Sequence, residues 1–152
     1  MLPTQKQLQD IVEKLKPILK IQDWKISIEL CGDKKMQELT EEYSYACCRR
    51  DMKLKRAAVC INKDHDGVDE WDRVDEWYAS LVHELYHILT QDVYYHAASL
   101  LDYIQDEATR GKERNMFTIY HEQTVEMLAQ GFVNAYPLSH FDYILNPKEN
   151  QP

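Results

Sequence analysis

The sequence predicts an α+β fold: a small mixed sheet of about three strands packed against helices. Three observations carry that prediction. One seven-residue stretch alternates apolar and polar side chains, two further stretches rich in apolar residues are bounded by charged turns, and apolar residues recur at spacings of three and four over most of the remainder. With 152 residues, 44% of them hydrophobic, four glycines and five prolines, the chain holds enough apolar surface for one core. The expected organisation is a single domain over residues 1–145 followed by a flexible tail at 146–152.

Residues 4–19 place Leu8, Ile11, Val12, Leu15, Ile18 and Leu19 on one helical stripe, and Pro17 is expected to end or bend the last turn. In residues 24–30, WKISIEL, Trp24, Ile26, Ile28 and Leu30 face one way while Lys25, Ser27 and Glu29 face the other, the two-residue period of a half-buried strand. A short charged helix fits residues 33–42. Residues 43–48, YSYACC, and 56–62, RAAVCIN, read as two more strands joined by a basic turn. From 71 to 90 the period becomes helical through Trp77, Leu81, Val82, Leu85, Ile88 and Leu89, with Asp72 placed to cap its start. A further helix is predicted over residues 93–110 through Ala97, Leu100, Leu101 and Ile104, closed by Gly111, and a last one over residues 115–136 through Ile119, Val125, Leu128, Phe132 and Val133.

Acidic side chains outnumber basic ones by 26 to 18, giving a net charge of -8 and no broad positive surface to neutralise phosphates. Nucleic acid is therefore not an expected partner. No run of about 18 apolar residues is present, and residues 1–20 lack the apolar core of a signal peptide, so a soluble cytoplasmic protein with no membrane association is expected. Cys31, Cys47, Cys48 and Cys60 fit a reducing compartment as small buried hydrophobes: none has C-x-x-C spacing, and the adjacent Cys47 and Cys48 point to opposite faces of a strand. The acidic segment from Asn62 matches the start of a calcium-binding loop through Asp64, Asp66 and Gly67, but the position that must supply the two-oxygen carboxylate is Arg73. A solvated turn ahead of a helix is expected there.

One segment departs from the apolar pattern. LVHELYHILT, residues 81–90, carries His83, Glu84 and His87 among Leu, Val, Ile and Tyr, where each polar group left without a partner costs roughly 2 kcal/mol or more. Residues four apart share a helix face, so His83 and His87 present two imidazole nitrogens to one point, and Glu84 projects beside that point rather than at it. The pattern is His-Glu-x-x-His, which suits two ligands of a tetrahedral zinc ion and a carboxylate that holds a water molecule on the metal. A catalytic zinc needs a third protein ligand and an open fourth position. His96 is the nearest remaining histidine; the positions at which some such sites carry Gly and a third His hold Thr90 and Val93. Residues 120–129, YHEQTVEMLA, offer more. Glu122 and Glu126 again stand four apart on one helix face, expected to point inward, one to bind the cation and the other to accept a hydrogen bond from a liganding histidine. Glu107 is an alternative ligand, but Gly111 occupies the position four residues beyond it and supplies no such acceptor.

HELYH followed on a later helix by a glutamate with an acidic residue four positions on resembles the gluzincin clan of zinc metallopeptidases, the thermolysin-like group. At this length the chain is most similar to minimal zincin-like gluzincins of phages and mobile elements, some of which resemble repressor-cleaving immunity peptidases. Residue by residue, the resemblance implies His83, His87 and Glu122 as zinc ligands, Glu84 as general base, and Glu126, where the clan more often has Asp, as the carboxylate that holds a liganding histidine. It implies hydrolysis of a protein or peptide substrate by a metal-activated water, with a Tyr or His donor to the developing oxyanion. Tyr94, Tyr95, His96, Tyr120, His121, Tyr136 and His140 are the side chains available for that role. It also implies a substrate-pairing sheet edge beside the motif helix, expected at residues 56–62. The expected function is a zinc-dependent peptidase of narrow specificity. The alternative is a catalytically silent zincin-like binding or regulatory module with a structural metal, which would have no need of a base at Glu84.

Overall fold

The computed structural model describes residues 2–40, 45–64 and 76–147. Among them the architecture is α+β, with five α-helices and a three-stranded mixed sheet, 66% helical and 15% strand. Helix α1 (Gln5–Ile18) starts where Thr4 and Gln7 cap one another: Gln7 N–H donates to Thr4 Oγ1 at 3.3 Å and Thr4 N–H donates to Gln7 Oε1 at 2.9 Å. Its predicted stripe is buried through Leu8, Ile11, Val12 and Leu15, and Pro17 lies in the last turn.

Strands β1 (Lys25–Cys31), β2 (Ala46–Asp51) and β3 (Arg56–Asn62) assemble in the order β1-β3-β2, with β3 parallel to β1 and antiparallel to β2. Residues 56–62, expected at the sheet edge, are therefore its interior, bonded on both sides. The edge is β2. It extends to Asp51 rather than stopping at Cys48, because an edge strand can leave Arg49, Arg50 and Asp51 in water. The outer side of β1 is closed midway by Gln9 of α1, whose amide donates to the Ile26 carbonyl at 2.9 Å and accepts the Ile28 N–H at 3.1 Å, as a neighbouring strand would.

One sheet face, with Ile26, Ile28, Val59 and Ile61, packs against α1 and α3; the other lies under α2 (Asp33–Thr40) through Met36. That cover explains why Cys31 and Cys60 are buried on the face that alternation marks as polar. Cys47 and Cys48 diverge as expected, Cys47 toward α2 and Cys48 toward the main core.

Helix α3 (Glu76–Leu100) is continuous where the sequence predicts a break at residues 90–93. Nothing there stops it: the span contains no Gly or Pro, and Thr90 Oγ1 donates within the helix to the Tyr86 carbonyl at 2.8 Å. After a 3-10 turn at Leu101–Tyr103, α4 (Glu107–Ala135) begins well before Asn115, because Asp106 caps it by accepting the Thr109 N–H at 2.7 Å. Gly111 consequently lies inside α4 instead of closing a helix, and the cost of about 1 kcal/mol for a helical glycine does not break it. Contacts His83–Glu126, Thr90–His121 and Tyr94–Thr118 run in opposite chain order, so α3 and α4 are antiparallel. Only Val125 and Ala129 of α4 are fully buried. Ile119 is 49% exposed and Leu128 36% exposed, so the predicted stripe is realised mainly by Val125 and by Phe132 and Val133 near the helix end.

The chain then turns through Leu138–Phe141 into α5 (Asp142–Leu145), which Gln7 ties to α1 by donating to the carbonyls of Ile144 and Leu145 at 3.2 and 3.1 Å. No helix among the described residues is long and apolar enough to cross a membrane. The predicted Asp72 cap, residues 65–75 of the acidic loop and the tail from 148 lie outside the described residues.

Candidate metal centre

Leu81, Val82, Leu85 and Ile88 bury the core face of α3, each at most 2% exposed, and so fix the rotation of the helix. The same rotation turns His83, Glu84 and His87 toward the seam between β2 and α4. There the two imidazoles meet a carboxylate. His83 Nε2 and His87 Nε2 are 3.0 Å apart, and Glu122 Oε2 is 3.3 Å from His87 Nε2 and 3.6 Å from His83 Nε2. Three electron-rich atoms this close repel one another unless a proton or a cation lies among them. Donors held about 2.0–2.1 Å from a tetrahedral zinc ion would stand about 3.3–3.4 Å from each other, and the triangle's edges of 3.0, 3.3 and 3.6 Å bracket that spacing.

The other ring nitrogens support the same fit. His83 Nδ1 stands 2.9 Å from Glu126 Oε2; an Nδ1–H donated to that carboxylate leaves the Nε2 lone pair facing the triangle. His87 Nδ1 is buried and has no partner among the described residues, so its ring is oriented from the Nε2 side alone. The predicted burial of the two carboxylates does not hold: the side chains of Glu122 and Glu126 are 50% and 56% exposed, because α4 lies along the seam as a rim. Both reach the histidines from that rim. Glu107, by contrast, opens α4 about 22 Å along the helix from Glu122, and His96 lies about 13 Å beyond His87 on the continuous α3; both are exposed and outside the cluster.

Glu84 is 8% exposed and lines a cleft of about 450 Å³ together with Tyr45, Ala46, Ser80, His83, Glu126 and Gln130. Burial raises its carboxyl above the ordinary value, and the neighbouring His87, His83 and Arg50 oppose that rise. A raised carboxyl is the better proton acceptor near neutral pH. Hydrogen bonds from His83 and His87 hold Glu122 far below the usual carboxylate range, which keeps it an anion. Burial pulls His83 down, but the Glu122 hydrogen bond and the nearby Glu84 and Glu126 outweigh it and raise the imidazole above 6.5. Without metal that proton sits in the ligand triangle. Zinc must displace it, so apparent zinc affinity is expected to fall as pH drops through the raised His83 value, by roughly tenfold per pH unit for one proton. Competition with a chromophoric chelator across a pH series measures this; a flat profile would remove His83 from the ligand set.

Several neighbours escaped the sequence reading. Arg50 Nη1 donates to the His87 carbonyl at 3.1 Å and fastens the edge strand to the motif helix. The signal was present: Arg50 falls on the same strand face as Ala46 and Cys48, so its side chain can reach the motif helix although it remains largely exposed. Thr90 Oγ1 lies 3.0 Å from His121 Nε2, and the His121 ring centroid is 4.5 Å from that of Tyr94 and 5.4 Å from that of His87. Burial and the adjacent His87 lower His121, so it is neutral at neutral pH. Of the candidate oxyanion donors His121 borders the cluster, and Tyr94 packs against His121. Tyr136 and His140 stack on each other at 4.2 Å at the far end of α4, and Tyr95, His96 and Tyr120 are exposed. A larger open groove of about 670 Å³ lies along the sheet, lined by Lys16, Lys25, Arg49, Arg50 and Arg56 among others, and includes none of His83, Glu84, His87, Glu122 and Glu126.

Glu126→Ala is expected to weaken zinc binding by about 10- to 100-fold without abolishing it, the usual effect of freeing a ligand histidine from its orienting carboxylate. Isothermal titration of the variant against wild type checks this, and equal affinities would mean that the 2.9 Å contact does not orient His83. No protein-family profile matches the chain, and neither characterised proteins nor solved structures yield a match to it.

Proposed function

We propose that the chain is a zinc-dependent peptidase of gluzincin type, working in the cytoplasm on a protein or peptide segment. The observation that carries this reading is the convergence of His83, His87 and Glu122 on one point with Glu84 buried beside it and outside the ligand set. Zinc held there would supply Lewis acidity, polarising a substrate carbonyl and acidifying water. Glu84 takes the proton of the attacking water and returns it to the leaving nitrogen, a double role that suits one carboxyl of raised basicity. Glu126, by accepting the Nδ1–H of His83, would leave Nε2 to the metal once the proton there is displaced. The edge strand supplies the binding surface: Tyr45 accepts from Asn62 N–H, so by the alternation of an antiparallel ladder the backbone groups of Cys48 and Arg50 face away from β3 and are placed to pair with an extended substrate.

The direct test is incubation of the zinc-loaded chain with a degenerate peptide library, reading new termini by mass spectrometry with and without chelator. Chelator-sensitive termini clustered around a short sequence preference are expected. A zinc-loaded chain that produces none would instead be a silent binding module.

A further inference from the structure

We propose a second metal site, made by Glu29, Cys31, Cys47 and Cys60 on the opposite face of the sheet, for a thiophilic divalent ion of the zinc and cadmium kind. It does not depend on the reading of the first site. Sequence spacing hides it, because its members come from three strands. Register assembles it: on the outer face Cys47 of β2 pairs with Cys60 of β3, Cys60 pairs with Glu29 of β1, and Cys31 follows Glu29 on the same face. Donor atoms of Glu29, Cys31 and Cys60 all lie within 4.8 Å of one another, and Cys60 Sγ is 3.7 Å from Glu29 Oε2. For bonds of about 2.3 Å to sulfur and 2.0–2.2 Å to oxygen, a tetrahedral ion sets neighbouring S and O donors about 3.6 Å apart. The ligand types are right for soft cations, which thiolates select over Mg²⁺ or Ca²⁺.

The surroundings favour closure. Cys31 and Cys60 are 2% and 0% exposed, and α2 seals them with Met36, whereas Cys47 is half-buried and leaves a way in from the strand edge. Burial pushes the Cys47 and Cys60 thiols up, so without metal they are neutral packing groups, and Glu29 is held ionised by Lys35 at 2.9 Å, with Arg49 at 3.4 Å. Binding converts three thiols to thiolates and sends three protons to solvent. The resulting complex of one divalent cation, three thiolates and one carboxylate carries two net negative charges, opposite the two cations Lys35 and Arg49.

The test titrates Cd²⁺ into the reduced full-length His87→Ala chain at neutral pH, so that the first site does not contribute. One equivalent is expected to bind, with a thiolate-to-cadmium ultraviolet absorption band and release of about three protons, one per thiol. Cys31→Ser and Cys60→Ser should each lose most of that band, with fold checked by circular dichroism; Cys48→Ser, on the core face, should keep it. Should the buried variants unfold, half-buried Cys47→Ser and the proton count on the parent chain decide the matter. No cadmium binding, binding without the band or the protons, or a band undiminished in the folded Cys31, Cys47 and Cys60 variants would overturn the site.

Discussion

Replacing Glu84 with Gln is expected to lower peptide hydrolysis by about 100- to 10,000-fold while leaving zinc content and fold unchanged. Gln keeps the size of the side chain and its hydrogen-bonding oxygen but cannot accept a proton. Because Glu84 is buried yet outside the ligand triangle, under the proposed mechanism its loss would remove proton transfer and spare the coordination. The amide also removes a buried negative charge, so thermal stability should not fall much. The measurement pairs turnover of a library-derived peptide with metal analysis of the same preparation. Equal turnover by wild type and variant would sink the base assignment, and loss of zinc from the variant would show that Glu84 is a ligand after all.

Glu122→Ala is expected to reduce bound zinc from about one equivalent to little or none, as are His83→Ala and His87→Ala, while Glu107→Ala leaves it intact. The separation of Glu107 from the cluster makes the contrast sharp. Wild type with free zinc at 100 times its dissociation constant should gain about 2.7 kcal/mol of stability, and the Glu122→Ala chain should gain almost none. Denaturant titration with and without zinc reads that difference. If Glu107→Ala loses the metal and Glu122→Ala retains it, the geometry of the triangle has been misread.

How much of this could be read from the residues alone depended on how local the cause was. His83, Glu84 and His87 were legible because they interrupt an apolar helix at a fixed spacing, and Glu122 with Glu126 because two carboxylates four apart repeat that spacing. Strand β1 was legible from its strict alternation. The edge strand was not: order within a sheet is a long-range choice, and RAAVCIN and YSYACC look equally suited to either place until hydrogen bonds assign them. The break expected near residue 90 had no chemical cause behind it, since periodicity shifts phase there without a Gly or Pro, and the Asp106 cap that starts α4 stands ahead of a segment of weak apolar pattern. Cys31 and Cys60 were legible as buried thiols, but their meeting with Cys47 depends on strand register.

Helix α4 fully buries only Val125 and Ala129, and its remaining contacts with α3 are partly exposed polar and aromatic ones, yet it carries the carboxylate that faces both histidines. Its amide protons should therefore exchange with solvent sooner than those of α3, through local opening that leaves the sheet in place. An ion bridging His83, His87 and Glu122 joins the two helices across the seam and penalises every such opening. In a cell short of zinc the helix would spend more time detached and open to proteases, so metal supply would set how long the molecule survives as well as what it can do.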